Sequence, residues 1–187
     1  MAIRQVSEIV KKEKQAREGL VVVVSAINKT TDILQTAVDA AIRPDAAYLD
    51  GVETVRTQHL EMAQALLPDN RRQDMAQTIA ALTDEAEKLL TSLHIIGELS
   101  VRAQNQVLSI GERLSSALVA AFLDEETRQA RLWDAREIII TQKGKPQVDL
   151  AATQKHIHDN MDGFTGIGVM AGFIASDGQG TPTNLGR

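Results

Sequence analysis

The pattern of apolar and polar positions along the chain predicts short strands separated by helices. Residues 20–24 read L-V-V-V-V, an almost entirely β-branched run that is typical of a strand covered on both faces in a parallel sheet. The three isoleucines at 138–140 predict a second strand. Residues 167–174 are apolar and β-prone, although Gly168 and Gly172 interrupt them, and they predict a third.

Apolar residues recur at helical spacing in the segments between these strands. The two longest such segments are separated only by Pro68-Asp69-Asn70, and this short connection predicts an antiparallel helical pair. The tail, residues 176–187, is rich in Gly, Thr and Pro and predicts a turn or hairpin. The helices predicted are 3–18, 33–41, 46–67, 72–96, 101–122 and 149–160.

Helices that alternate with buried strands indicate an α/β layered domain. No internal repeat or linker divides the sequence, so residues 1–187 are predicted to form a single domain.

Composition narrows the classes of function. Hydrophobic residues make up 43% of the chain, which is enough for a packed core, and the formal net charge of −5 argues against a nucleic-acid binder. The absence of cysteine excludes disulfides, thiolate metal sites and cysteine nucleophiles. No secretory signal is visible and no apolar run reaches the roughly 18 residues of a membrane span. A cytoplasmic protein that binds neither membrane nor nucleic acid is therefore expected.

The loop that follows the first strand is the first candidate site. Ligands collect beyond the carboxyl ends of strands in open α/β sheets, and the free N–H groups of a following helix favour an anion. Ser25, Asn28, Lys29, Thr30 and Thr31 occupy this position. The alternative is an ordinary loop in which Thr30 or Thr31 caps the next helix.

The segment S-I-G-E-R-L-S-S at 109–116 is the second candidate. A glycine inside a helix costs about 1 kcal/mol relative to alanine, so Gly111 predicts that another part of the chain approaches the helix backbone there. Glu112 is suited to hold a cationic group. The alternative is a solvated Glu112–Arg113 pair on the helix surface.

Two other motifs carry less weight. The side chains of His156 and His158 point to different faces of a helix, and no acidic cluster completes a metal site, so no metal centre is predicted. Gly166-x-Gly168 precedes a strand instead of opening a helix, which argues against a dinucleotide fingerprint.

Six blocks, taken in order, resemble the catalytic domain of the aspartokinases, members of the amino acid kinase family. The most specific is L-S-I-G-E-R-L-S-S, and the ending T-N-L-G-R is most similar to aspartokinases fused to homoserine dehydrogenase. The blocks are V-S-A-I-N-K-T-T-D-I-L at 24–34, L-S-V-R at 99–102, L-S-I-G-E-R-L-S-S at 108–116, D-A-R-E-I-I at 134–139, G-F-I at 172–174 and T-N-L-G-R at 183–187.

The resemblance implies a three-layer α/β/α sandwich, here partial and helix-rich, with residues 46–96 as a helical hairpin inserted in it. It also implies transfer of the ATP γ-phosphate to the β-carboxylate of L-aspartate, with Mg²⁺ as the accompanying cation. Glu112 would contact the substrate amino group and Arg187, the catalytic residue, would pair with a substrate carboxylate. The remaining substrate contacts implied are Ser25, Ala26, Thr31 and Phe173.

The chain also departs from the family pattern. It has neither the K-F-G-G-T-S strand and loop nor the G-G-S-D nucleotide half, and Lys29 stands where the family has glycine. Two hypotheses therefore stand: an aspartate-kinase-like phosphotransferase that is incomplete for ATP binding, or a catalytically inactive fragment or helical protein that functions through self-assembly or interaction with a partner. An uncovered sheet edge would favour pairing with another chain, so a homo-oligomer is expected.

Overall fold

The computed structural model describes residues 2–43 and 47–185, a mixed α/β fold. Residues 1, 44–46, 186 and 187 lie outside the described part, and with them Arg187 and the predicted start of the helix at residue 46. In chain order the elements are α1 (Ala2–Gln15), β1 (Gly19–Val24), α2 (Thr30–Ala41), α3 (Asp50–Leu66), α4 (Asp69–Ile96), α5 (Val101–Thr127), β2 (Ala130–Trp133), α6 (Ala135–Ile138), α7 (Leu150–Met161), β3 (Gly166–Ala171), β4 (Ile174–Ser176) and β5 (Pro182–Asn184).

A parallel sheet of three strands, in the order β1-β3-β2, forms the centre of the fold. Its inner face packs on α1 and α5, where Val10, Leu123 and Val169 share one apolar cluster. The α/β class and the parallel sheet predicted from sequence are confirmed.

The prediction that β1 is covered on both faces is wrong for the described residues. Side chains alternate across a strand, and only alternate residues of β1 face α5. Val21 and Val23 point the other way and remain 45% and 58% exposed. The β-branched run therefore reflects strand propensity at an edge position more than two-sided burial.

Helices α2 to α5 form a second body with a continuous apolar core. α3 packs on α4, and both α2 and α4 pack on α5. Arg56 on α3 pairs with Asp84 and Glu87 on α4, which ties the middle of one helix to the second half of the other. The two long helices predicted from the apolar stripes are present, and their assignment as an inserted hairpin stays a prediction.

The strand predicted at 138–140 is wrong. The strand β2 lies earlier, at Ala130–Trp133, and residues 135–138 form the short helix α6. Asp134 begins that helix because its side chain accepts a hydrogen bond from the backbone N–H of Arg136 at 3.0 Å. Ile140 makes only an isolated bridge to Ser176.

Helix α5 runs to Thr127, five residues beyond the end at 122 predicted from sequence. It is the one helix in the described part that is long and apolar enough to span a membrane by length and composition, but 83% of its apolar window is buried inside the fold. Burial as the core helix accounts for that composition.

The glycines of Gly166-x-Gly168 serve packing. A Cβ on Gly168 would lie 1.8 Å from Trp133 Cζ3, so only glycine lets the indole ring cross β3. The tail forms the predicted hairpin, in which β4 pairs antiparallel with β5 and Ile174 faces Asn184.

Candidate active site

The loop after β1 lies directly against α5, where Gly111 makes room for it. A Cβ on Gly111 would meet Thr30 Cγ2 at 2.9 Å and Ala26 Cβ at 3.3 Å. Any larger residue would push the start of α2 away from α5. The close approach predicted from a glycine within a helical pattern is confirmed.

The same loop turns through two left-handed residues. Asn28 has φ 51° and Lys29 has φ 60°, a conformation that is uncommon for residues other than glycine. Lys29 is the N-cap of α2 and makes no side-chain capping bond, so the interpretation of Thr30 or Thr31 as the cap is wrong. The Thr30 hydroxyl instead donates to the carbonyl of Ile27.

Glu112 is a buried carboxylate at this contact. Its side chain is only 2% exposed; Oε1 accepts a hydrogen bond from Ser25 Oγ at 3.3 Å, and Oε2 has no partner. Burial raises the pKa of Glu112, and hydrogen bonds from Ser25 and the Ala26 backbone oppose that rise. The alternative of a solvated Glu112–Arg113 pair is wrong, because Arg113 donates to both carboxylate oxygens of Glu85 at 2.9 Å.

Ser25 is held by α5 at two points. In addition to its bond with Glu112, its carbonyl oxygen accepts a hydrogen bond from Ser115 Oγ at 2.6 Å. Ser25 is itself exposed, so this network reaches from the buried carboxylate to the protein surface.

Phe173 is brought to the carboxyl end of β1 by a tight turn. The N–H of Gly172 donates to the carbonyl of Val24 at 2.7 Å, and the N–H of Leu185 donates to the carbonyl of Phe173 at 2.8 Å. Phe173 has φ 66°, a strained conformation for an aromatic residue.

A cavity of about 640 Å³ opens beside Phe173, between the start of α5, residues 141–146 and the β4–β5 hairpin. Leu108, one turn before Glu112 on α5, forms part of its wall. Arg102 and Lys145 also line it, and neither forms an ion pair within the described part of the chain. Asp177 lines it as well, so the cavity carries charges of both signs.

Two asparagines at this cavity were missed by the sequence reasoning. Asn184 Nδ2 donates to Asn105 Oδ1 at 3.0 Å, which joins the hairpin to α5, while the buried Asn184 Oδ1 has no partner. The asparagine inside the T-N-L-G-R block was the signal that could have indicated this position.

The structure thus brings Ser25, Ala26 and Glu112 together where the β1–α2 loop meets α5. Phe173 lies close to the carboxyl end of β1, next to this loop. Thr31 is half-buried in the first turn of α2.

The described residues offer no ligand set for a metal ion. No group of three or more His, Asp or Glu side chains lies close enough together in ranges 2–43 and 47–185. His156 Nδ1 lies 2.7 Å from the carbonyl oxygen of Glu137, and His158 Nδ1 lies 3.7 Å from Asp162.

Comparison with known proteins identifies the class. The amino acid kinase family matches residues 2–187, so the chain belongs to that family. Within it, the chain is similar to the aspartokinases, as the sequence blocks indicated, and is aspartate-kinase-like.

Individual relatives support that placement. The chain is 27% identical over 192 residues to bifunctional aspartokinase/homoserine dehydrogenase 1, chloroplastic, of Arabidopsis thaliana, covering 99% of this chain and 20% of that protein. It is 28% identical to Aspartokinase 1, chloroplastic, of the same plant, covering 91% of this chain and 31% of that protein. Its fold matches E. coli aspartokinase III in complex with aspartate and ADP with a TM-score of 0.85 at 22% identity, over all of this chain and 40% of that one. The chain therefore spans a fifth to two fifths of the length of these proteins.

Proposed function

We propose that this chain provides the amino-acid-binding part of an aspartate kinase, in which the ATP γ-phosphate is transferred to the β-carboxylate of L-aspartate. The observation that carries the proposal is Glu112. A buried carboxylate with one unpaired oxygen is costly unless a cationic partner is supplied. The α-ammonium group of an amino acid is such a partner, and Glu112 Oε2 has no partner within the described part of the chain.

The other residues would position the substrate around this bond. Ser25 is fixed by Ser115, so its hydroxyl can pass from Glu112 to the ligand without loss of the loop conformation. Phe173 would close one side of the site, with Ala26 and Thr31 on the other. We assign the substrate carboxylate to Arg187, since a guanidinium can bind a carboxylate with two parallel hydrogen bonds.

In the proposed reaction, these residues need only position the substrate. A β-carboxylate is ionised at neutral pH, so no general base is required. One carboxylate oxygen would form a bond to the γ-phosphorus while the bond from that phosphorus to the leaving oxygen of ADP breaks. Orientation and charge neutralisation then supply the rate enhancement.

ATP and Mg²⁺ enter the proposal only because the chain resembles the aspartokinases. The described residues contain no metal-ligand cluster, so no step is assigned to a protein-held metal ion here. Kinase chemistry commonly holds Mg²⁺ through the substrate phosphates together with one or two carboxylates.

The test is calorimetric titration of the purified chain with L-aspartate and with succinate, which lacks the ammonium group. Binding of L-aspartate, weaker binding of succinate, and loss of that difference in Glu112→Gln would support the proposal. Glu61→Gln is the matched control, because Glu61 is exposed on α3. Equal binding of both ligands, or an unaffected Glu112→Gln protein, would exclude Glu112 as the ammonium site.

ADP release measured with ATP, Mg²⁺ and L-aspartate then tests the transfer itself, with Arg187→Ala as the comparison. Aspartate-dependent release that the substitution abolishes would support transfer by this chain. Aspartate binding without release would restrict this chain to the amino-acid part of the activity.

A second candidate function is association through β1. The strand lies at the edge of the sheet, and Val21 and Val23 form an exposed apolar strip on it. No charged residue or proline protects this edge within Gly19–Val24, a pattern that favours pairing with another strand. Sedimentation of the chain would show a dimer that Val23→Lys dissociates. We also propose that the protein is cytoplasmic, as expected from its sequence.

A further inference from the structure

The α4–α5 turn, residues 95–102, exposes a run of apolar side chains. Every residue of this segment, I-I-G-E-L-S-V-R, is exposed, although it joins the two longest helices of the described part. Ile95, Ile96 and Val101 are 78%, 66% and 73% exposed, and Leu99 is 37% exposed. Large apolar residues scattered singly on a surface are ordinary, but a contiguous apolar patch marks a contact surface.

A groove of about 250 Å³ runs beside these side chains, between the end of α4 and the start of α5. Its lining is mainly apolar and consists of Leu89, Ser92, Leu93, Ile96, Glu98, Leu99, Ser100 and Ala103. The α4–α5 turn therefore presents projecting apolar side chains next to a depression that can receive a side chain. A contact between two identical surfaces needs both features, because a two-fold axis sets each surface against a copy of itself.

The α4–α5 turn also carries one acid and one base without partners. Glu98 and Arg102 form no ion pair within the described part of the chain. Ser100 caps α5 by accepting a hydrogen bond from the N–H of Ala103 at 3.1 Å, so Glu98 lies outside the helix that carries Arg102. The surface is thus complementary in charge to itself. A two-fold contact would bring Glu98 of each copy to Arg102 of the other, which gives two ion pairs per dimer.

We propose that the α4–α5 turn binds the same turn of a second copy of this chain, with the apolar side chains at the centre and two Glu98–Arg102 pairs at the rim. This contact is an alternative to pairing through β1, with which it shares no residue. A lipid surface suits the turn less well, because membrane-bound segments surround their apolar side with lysine and arginine, whereas here an acid balances the base.

The proposed contact lies next to the candidate active site. Val101 and Arg102 line the 640 Å³ cavity beside Phe173 as well as belonging to the α4–α5 turn. A second copy bound at the turn would therefore lie at the edge of that cavity.

Sedimentation velocity over a range of protein concentrations tests the proposal, and we expect a monomer–dimer equilibrium. Ile95→Lys should weaken the dimer at least about tenfold, because each dimer loses two buried isoleucine side chains. Leu150→Lys is the matched control, since Leu150 on α7 is 77% exposed and lies outside the turn, and it should leave the equilibrium unchanged. Val23→Lys should also leave it unchanged, which separates this contact from pairing through β1.

A charge exchange tests the two-fold arrangement itself, at low ionic strength where exposed charges are least screened. Glu98→Arg alone and Arg102→Glu alone should each be monomeric, because every rim pair is then between like charges. An equimolar mixture of the two variants should form a heterodimer, since each arginine then meets a glutamate. A chain that is monomeric at every concentration, a dimer lost in Val23→Lys but kept in Ile95→Lys, or a mixture without heterodimer would each overturn the proposal.

Discussion

Replacing Glu112 by glutamine should make the protein more stable and, at the same time, impair ligand binding. The carboxylate is 2% exposed and one of its oxygens is unpaired. An unsatisfied buried polar atom costs about 1–3 kcal/mol, and an ionised one costs more than a neutral one. Glu112→Gln keeps the shape and removes the charge, so we expect the free energy of unfolding at pH 7 to rise by about 1–3 kcal/mol.

The dependence on pH follows from the direction of the pKa shift. Burial raises the pKa of Glu112 in the folded protein above its ordinary value of 4.5. The unfolded chain then releases this proton at lower pH than the folded protein does, so the contribution of Glu112 to stability declines as pH rises from 4.5 through the folded pKa. The stability gained by Glu112→Gln should therefore be small at pH 4 and increase as the pH rises towards the pKa of Glu112 in the folded protein.

Binding should change in the opposite direction. A hydrogen bond to a charged group contributes about 1.5–3 kcal/mol, which corresponds to roughly 10- to 150-fold in affinity for L-aspartate. Urea unfolding at pH 4 and pH 7 measures the first effect and calorimetric titration measures the second. Glu61→Gln should change neither. A gain in stability from Glu112→Gln, relative to the unmodified protein, that is no larger at pH 7 than at pH 4 would refute the electrostatic reasoning, even if binding were lost.

Three further substitutions test other parts of the fold. Gly111→Ala gains about 1 kcal/mol of helix propensity, but its Cβ would lie 2.9 Å from Thr30 Cγ2, which crowds the contact at a cost of about 1–3 kcal/mol. Urea unfolding should therefore show a lower free energy of unfolding, and calorimetric titration should show weaker binding of L-aspartate. A higher free energy of unfolding would show that the loop can move freely. Gly168→Ala drives a Cβ to 1.8 Å from the Trp133 ring and should cost roughly 3 kcal/mol with altered tryptophan fluorescence, and unchanged fluorescence would contradict the packing seen here. His59 is buried, and burial lowers its pKa from 6.5, so the free energy of unfolding should fall as pH drops below about 6.5, by up to about 1.4 kcal/mol per pH unit. His59→Leu should remove that part of the decline between pH 7.5 and 5.5. Identical slopes of unfolding free energy against pH in the two proteins would contradict this prediction.

Local signals in the sequence were sufficient for most of the helices and for the class of fold. Apolar residues at helical spacing identify α3 and α4, and a run of β-branched residues identifies β1. Each of these signals lies within a single segment of the chain. The error at 138–140 has a different origin. Three isoleucines favour a strand by propensity, but the capping bond from Asp134 starts a helix at residue 135, and one turn of helix already buries Ile138.

The environment of Glu112 could not be predicted from its neighbours in sequence. Glu112 and Arg113 are adjacent and opposite in charge, which favours a surface pair on composition alone. Successive helical residues point about 100° apart, however, and here one faces the β1–α2 loop while the other faces Glu85 on α4. Only the packing of these two segments against α5 decides that Glu112 is buried against the loop while Arg113 pairs with α4.

Backbone strain supplies an independent reason to place function at the carboxyl end of β1. Four residues other than glycine have positive φ in the described part of the chain: Asn28, Lys29, Arg128 and Phe173. Arg128 simply ends helix α5, whereas the other three surround the end of one strand. Residues held in sparsely populated backbone regions cost on the order of 1–3 kcal/mol each and persist only where surrounding contacts hold them. Here those contacts include the hydrogen bond from the N–H of Gly172 to the carbonyl of Val24 and the packing of Thr30 on Gly111. They offset the cost of the strained backbone and hold the loop that contacts Glu112, whose Oε2 has no partner, and the turn at the end of β1.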